Sequence, residues 1–235
     1  MTFSPHALEF FRRLRRHNDR AWFAAHRAEY EEQVRAPMRA LIEELDVRFA
    51  RFAPEIVADP RRSMFRIHRD IRFSKDKSPY KTHAACWFHH RDADRRVGHD
   101  GEGGSAGFYF QLAPGDSFVG AGLWMPPRPV LNRLREAIAE DPSPFARIAT
   151  DARLRRRYGG LDDEAVLVRM PRGYAEDHPA ARWLRYQSFT MGRAVTDAQA
   201  IGGRLPALLE SHFAALLPLV RWLNRALGLT PAKRR

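Results

Sequence analysis

Two kinds of apolar periodicity divide this chain, and their order constrains its fold more than any other feature. Near both ends apolar residues recur at helical spacing, as in Leu8, Phe11 and Leu14 and again over residues 205–220. Three aromatic segments between them alternate like strands, with Gly and Pro-Gly punctuation separating residues 82–89, 107–112 and 117–124. Because no repeat or long linker interrupts this order, we predict one α+β domain over residues 1–235, a mostly antiparallel sheet packed by helices from the N- and C-terminal regions.

Local signals place the remaining elements. Helices are expected over residues 5–16, after Asp19, from Pro37 to about residue 51, and over residues 129–139, 144–158 and 178–184. Residues 165–170 and 186–191 are expected to be strands, and 90–106 a surface loop. Pro218 lies inside the last helical stripe and is expected to kink it, because it cannot donate to the Ala214 carbonyl. Residues 228–235 form a basic tail that we expect to be mobile.

Composition limits the class of protein. Of 235 residues, 44% are hydrophobic, which is enough for a sizeable core. The single cysteine, Cys86, rules out an internal disulfide and a Cys-based zinc site, and its apolar neighbours predict a buried, unreactive thiol. No basic-then-apolar signal opens the chain and no stretch approaches the about 20 apolar residues of a membrane helix, so we expect a cytoplasmic protein with no membrane partner.

Residues 64–83 carry the densest charge in the chain. Six cations and two aspartates give this segment a balance of 6 − 2 = +4. Its first half alternates apolar with polar residues, which predicts a strand exposing a row of guanidiniums. Its second half, from Ser74 to Pro79, has the chemistry of a turn. The segment therefore predicts an anion site, and it leaves the anion and any reaction unspecified.

The same segment carries a family resemblance. The string RDIRFSKDKSPYKTH, followed downstream by GLWMPP and by MPRGYAEDHPA with LRYQSF, resembles the DUF2461 family of uncharacterised proteins. The resemblance extends from about Phe3 to about Leu227, and its central motif is long and mixed in composition. It implies kinship over nearly the whole chain, and it implies no activity or cofactor.

Candidate site residues follow from charge and turn chemistry. Arginine offers a planar fork to carboxylate or phosphate, and lysine adds a point charge. Asp70 and Asp76 are the candidate catalytic groups, as bases or as residues that orient a guanidinium. We expect an irregular backbone within residues 69–74, so that two arginines can reach one ligand. The candidate ligand-binding residues are Arg66, Arg69, Arg72, Ser74, Lys75, Lys77, Tyr80, Lys81, Arg172 and His178.

Two other groups of residues give weaker evidence for a functional site. The loop around Gly173 fits close approach of a ligand to Arg172 and Tyr174, and it fits equally a turn in which Asp177 caps a helix. The histidines at 83, 89, 90 and 99 do not predict a metal site, because His89 and His90 are adjacent on a strand and point to opposite faces.

Three functions remain open at this stage. The first is a ligand-binding or enzymatic domain with a cationic pocket for a phosphate- or carboxylate-bearing small molecule, walled by Tyr80, Trp87 and Trp124. The second is a nucleic-acid-binding module in which the same cations contact phosphates, in keeping with the net charge of +12. The third is a structural role, in which the charges pair with one another and function lies in a protein partner.

Overall fold

The structure, a computed structural model, describes residues 3–72, 74–93 and 104–231. Its N-terminal part is helical. The helices are α1 Pro5–Arg16, α2 Arg20–Ala25, α3 Arg27–Tyr30, the π-helical turn Glu31–Arg35, α4 Ala36–Phe52 and α5 Pro60–Ser63. The C-terminal part contains α6 Arg128–Glu140, α7 Pro142–Ala149, α8 Ala152–Tyr158, α9 Ala181–Leu184, α10 Asp197–Ala200 and α11 Leu205–Ala226.

A five-stranded antiparallel sheet lies between these helical parts, in sequential order. The strands are β1 Ile56–Val57, β2 Ala84–His90, β3 Gly107–Leu112, β4 Ser117–Leu123 and β5 Phe189–Val195. The chain is a single α+β domain with helices at both ends, which confirms the predicted fold class.

One face of the sheet forms the core with α4 and α11. Alternate residues of a strand share a face, so Phe88, Phe108 and Phe110 all point to this side and are fully buried. Phe213 of α11 stacks on Phe108 with ring centroids 4.7 Å apart. Cys86 belongs to the same face and is buried, as predicted, and burial raises the pKa of its thiol.

The opposite face carries a row of glycine and aromatic residues. Trp87, Tyr109, Gly120 and Gly192 are register partners across β2 to β5. A Cβ at Gly120 would lie 2.8 Å from the ring of Phe118. The glycines of β4 therefore make room for neighbouring residues within the sheet itself.

Several expected elements differ from those observed. Residues 165–170 form no strand; Val166 makes one isolated bridge with Tyr186, and β5 begins only at Phe189. The helix expected over 144–158 is two helices, because the Asp151 side chain accepts from the amides of Arg153 and Leu154 and so starts a second one. Helix α9 begins at Ala181, three residues later than predicted.

Other expectations concern proline, the loop and the termini. Helix α11 continues through Pro218 to Ala226. Most of the loop expected over 90–106, with His99 in it, lies outside the described residues, as do Phe73 and residues 232–235 of the expected tail.

Candidate functional site

The predicted strand over the first half of residues 64–83 is replaced by an irregular strap. Among its described residues two isolated bridges form, Met64 with Cys86 and His68 with Tyr80. The strap folds back on itself, because the Arg69 amide donates to the Pro79 carbonyl and the Lys81 amide donates to the Ile67 carbonyl. These backbone bonds close a loop over residues 69–79 and leave no partner strand for a regular ladder.

The helical N-terminal part anchors this strap. The Asn18 side chain donates to the Tyr80 carbonyl at 2.9 Å and accepts from the Tyr80 amide at 3.1 Å. The Tyr80 ring stacks on Phe23 with centroids 4.1 Å apart. The Asn18 side chain bonds to Tyr80 as a neighbouring strand's backbone would, and the Tyr80 ring stacks on Phe23. Together these contacts hold the strap against α2.

Inside the loop the charges pair with one another. Asp70 holds Arg72 through two oxygens, with Nη2 to Oδ2 at 2.6 Å and Nε to Oδ1 at 3.0 Å. Asp76 pairs with Arg69 and accepts from the Ser78 hydroxyl and amide. Asp70 thus contacts one of the two arginines, and residues 69–72 form no regular strand. The irregularity expected within residues 69–74 stays a prediction, because Phe73 lies outside the described residues. Arg69 and Arg72, however, are held by different aspartates.

These contacts keep both candidate catalytic carboxylates ionised. Hydrogen bonds from the Arg72 side chain and amide lower the pKa of Asp70 to about 2. Bonds from the Ser78 hydroxyl and amide, and then from Arg69, lower the pKa of Asp76. A carboxylate with a pKa this low is a poor general base at neutral pH.

The other candidate residues are spread over several surfaces. Ser74 accepts from Arg69, the Lys77 ammonium donates to the Ile71 carbonyl, and Lys75 is exposed. Lys81 lies 5.1 Å from the centre of the Phe65 ring. Of the candidate residues, two line the groove between the strap and helices α2 to α5: Arg66 and Tyr80.

The loop expected near Gly173 is a turn. Gly173 has φ +92°, so it does supply the positive φ of a turn. His178, and not Asp177, contacts the start of the next helix, because its Nδ1 accepts from the Ala180 amide at 3.0 Å. Arg172 is exposed. Neither Arg172 nor His178 is among the residues that line the groove between the strap and helices α2 to α5.

A groove of about 990 Å³ lies between the strap and the helices α2 to α5. Its volume falls at the upper end of the range for small-molecule sites. Trp87 and Trp124, expected as walls, lie elsewhere, and Trp124 is 62% exposed. The lining residues are Phe23, Ala24, Arg27, Tyr30, Glu31, Arg35, Arg39, Pro60, Arg61, Met64, Phe65, Arg66, Ile67, His68 and Tyr80.

Five arginines and one glutamate give this groove its charge. Glu31 is engaged by Arg35, with Nη1 at 2.9 Å and 3.0 Å from its two oxygens. The other four arginines of the groove are exposed, and none of their guanidiniums forms an ion pair with a described residue. They are Arg27, Arg39, Arg61 and Arg66. Four guanidiniums that form no ion pair among the described residues make this concavity cationic, although the charge of Arg66 also acts on Asp70.

Tyr30 adds a polar group to the apolar floor. The residue is only 5% exposed, and its hydroxyl makes no hydrogen bond with any described residue. Burial, partly offset by Arg35, raises the pKa of Tyr30 to about 12, so the hydroxyl stays protonated at neutral pH. It is a hydrogen-bond donor that the protein itself leaves unused.

A π-helical turn shapes the same wall. Residues Glu31–Arg35 separate α3 from α4 within one continuous helical run. π-helical turns are rare, and they occur often at functional sites because the extra residue re-aims the side chains around it. Tyr30, Glu31 and Arg35 all belong to or adjoin this turn, and all line the groove.

Sequence reasoning missed the helical half of this groove. Arg35 and Arg39 are four residues apart and therefore share a helix face, which was the available signal. Arg27 and Arg61 carried no such signal, since only the tertiary fold brings α3 and α5 beside the strap.

The family described as conserved hypothetical protein (DUF2461) matches residues 6–222. The chain belongs to the DUF2461 family. The resemblance inferred from the strap and its downstream motifs is thereby confirmed over nearly the whole chain. No curated protein and no solved structure matches this DUF2461 chain significantly. The family description assigns no activity, so the chemistry has to be argued from the groove.

Two further properties bear on partners and metals. None of the helices within residues 3–72, 74–93 and 104–231 is long and apolar enough to cross a membrane. Over the same part of the chain, no three His, Cys, Asp or Glu side chains come together as a metal-binding group. His90 is buried, and its Nε2 lies 2.9 Å from the Thr230 carbonyl.

Proposed function

We propose that this DUF2461 protein binds an anionic small molecule, carrying phosphate or carboxylate groups, in the groove between the strap and helices α2 to α5. The observation that carries the proposal is the set of four groove arginines that form no direct ion pair with a described residue, although the charge of Arg66 does act on Asp70. Solubility does not require cations to converge on one concavity, whereas recognition of an anion does.

The chemistry of the groove supports binding more directly than catalysis. Guanidiniums and the protonated Tyr30 hydroxyl are donors suited to phosphate or carboxylate oxygens. The two aspartates considered as bases lie in the paired loop, not among the groove residues. We therefore propose that the groove binds and orients an anion, and we assign no reaction to the groove residues.

Titration of the full chain with inorganic pyrophosphate and with citrate tests this proposal, at ionic strength matched with sodium chloride. We expect both the heat of binding and a rise in melting temperature. Arg39→Gln or Arg66→Gln should weaken binding at least ten-fold, according to which of the two guanidiniums the anion contacts, because a hydrogen bond to a charged group contributes about 1.5–3 kcal/mol.

Arg51→Gln is the matched control. Arg51 is an exposed residue of α4, the helix that also carries Arg39, and it lies outside the groove. It should bind both anions as the unaltered protein does. Equal weakening in all three variants would mean general charge attraction, and absence of binding in the unaltered protein would refute the proposal.

A nucleic-acid partner is the second candidate, favoured by one specific observation. Helix α8 presents three exposed arginines within four residues: Arg153, Arg155 and Arg156. Together with the net charge of +12, this surface offers general attraction for phosphates. Arg153→Gln combined with Arg156→Gln would weaken nucleic-acid binding through α8 and leave pyrophosphate binding in the groove unchanged.

A further inference from the structure

The groove arginines are too far apart for one small anion. Arg27 and Arg39 belong to one continuous helical run, in which twelve residues span about 18 Å at 1.5 Å per residue. Arg61 and Arg66 lie on two other segments, α5 and the strap. A single phosphate or a short dicarboxylate would leave most of these guanidiniums without a contact. The ligand is therefore extended and carries more than one anionic group.

Apolar and polar residues line the groove together. Phe23, Met64 and Ile67 supply apolar lining, and the aromatic residues Tyr30 and Tyr80 line it as well. A uniformly charged chain such as inorganic polyphosphate would have to lose water against this surface without compensation. An apolar or aromatic portion of the ligand fits here.

His68 provides a surface on which a flat ring can stack. His68 is exposed and lines the groove, and its ring centroid lies 5.2 Å from that of Tyr80, with the two ring planes tilted by 52°. Tyr80 is in turn held by Phe23 and by the two hydrogen bonds of Asn18. An exposed ring two residues from Arg66 places a stacking surface beside a phosphate-binding group.

From this arrangement we infer that the ligand of the groove is a mononucleotide: a heteroaromatic base joined to more than one phosphate group. The inference rests on the proposed function and names the ligand class for the same groove. The base stacks on His68, the arginines contact the phosphates, and the Tyr30 hydroxyl donates to a phosphate oxygen. Because these groups line a concavity and not an exposed stripe, a mononucleotide fits better than a polynucleotide.

Four probes separate the alternatives by calorimetry on the full chain at matched ionic strength: adenosine triphosphate, inorganic tripolyphosphate, adenosine and a short oligothymidylate. We expect adenosine triphosphate to bind about ten-fold or more tightly than tripolyphosphate, since stacking of one base contributes that much. His68→Ala should remove this advantage and leave tripolyphosphate binding unchanged. Tyr30→Phe, which keeps the buried ring, should weaken both phosphate compounds.

Each contrary result has a distinct meaning. Equal affinity for adenosine triphosphate and tripolyphosphate would overturn the nucleotide inference and leave the anion-binding proposal standing. Tighter binding of oligothymidylate, with the same loss in His68→Ala, would replace the mononucleotide by a nucleic-acid strand. Failure of every phosphate compound to bind would overturn both, and an unchanged adenosine triphosphate affinity in His68→Ala would overturn the stacking role.

Discussion

Two carboxylates, Asp70 and Glu55, each hold an arginine, but only Glu55 does so inside the protein. The Asp70 side chain is 44% exposed and that of Glu55 is 2% exposed. Glu55 accepts from Arg221 at 2.6 Å and 3.2 Å, and Arg221 also donates to the Phe52 carbonyl, so this pair joins α11 to the end of α4. Water competes with both partners of the first pair, whereas in the second it reaches Arg221 and is excluded from the Glu55 carboxylate.

Replacing these carboxylates should therefore have unequal effects on stability. Glu55→Gln should lower the free energy of unfolding by about 2–3 kcal/mol, near the low end for a buried pair because a third of the Arg221 side chain is exposed. Asp70→Asn should leave the free energy of unfolding close to its original value. Urea unfolding followed by circular dichroism measures both, and a large loss in Asp70→Asn would mean that the paired loop holds the fold together.

His212 is a buried histidine that the fold keeps neutral. Burial first, and then the charges of Arg157 and Arg193, lower its pKa from 6.5 to about 4. The Tyr158 hydroxyl lies 2.9 Å from Nδ1 of His212, and an unprotonated Nδ1 can accept a hydrogen bond from that hydroxyl. The unfolded chain, in contrast, binds a proton at this site as the pH falls below 6.5.

This difference in proton binding predicts a pH dependence. Because the folded pKa is the lower one, the contribution of His212 is fully present above pH 6.5 and is lost as the pH falls toward 4, by up to about 3 kcal/mol. Burial also lowers the pKa of His83. The measurement is therefore the difference in free energy of unfolding between the unaltered protein and His212→Gln at each pH. Unfolding curves of the two that stay parallel from pH 7 to pH 4 would contradict this assignment.

At the scale of elements, the sheet depends on close backbone approach at its glycines. Gly122 in β4 has φ +128°, a conformation that other residues rarely adopt. A Cβ at this position would also lie 2.8 Å from the Thr190 Cα and against the Phe189 carbonyl of the neighbouring strand. The observed register of β4 with β5 therefore requires a glycine at position 122.

Gly122→Ala should destabilise the protein by about 2 kcal/mol or more, because it adds backbone strain to a backbone clash. Gly203→Ala is the control, since a Cβ there would meet nothing within 4 Å. Thermal unfolding of both variants gives the comparison. A Gly122→Ala protein as stable as Gly203→Ala would show that β4 and β5 separate readily at this point.

Charge is the property that acts at the scale of the whole molecule. The excess of 40 basic over 28 acidic side chains gives +12, yet many of these arginines are paired across the fold. Arg12 contacts Asp197 and Arg48 contacts Glu210, in each case joining an N-terminal helix to the C-terminal part. The net field attracts polyanions in general, whereas the proposed groove site would act only on a ligand that fits its shape.

We expect weak binding to nucleic acid of any sequence at low salt. Because such binding releases counterions, its affinity should fall steeply as salt approaches physiological concentration. Fluorescence anisotropy with unrelated duplexes over a salt series measures it. Sequence preference, or tight binding that persists above physiological salt, would favour the nucleic-acid candidate over the groove.

The sequence by itself determined the fold class and the location of most elements. Proline at the start of α1, alternation in the aromatic strands and the apolar stripe of α11 all act through neighbours close in the chain, so local patterns were sufficient. It also determined the densest cationic segment and the family. It misplaced the strand expected in the strap, because that segment satisfies its backbone by pairing with itself.

Only the tertiary structure decided which charges are available to a ligand. Charge density pointed to Arg69, Arg72, Asp70 and Asp76, but a count of charges cannot tell a paired cation from an unpaired one. Arg27, Arg39 and Arg61 come beside Arg66 only because α3, α4 and α5 pack around the strap. Pairing and convergence depend on contacts between residues distant in the chain, and periodicity and composition carry no information about those contacts.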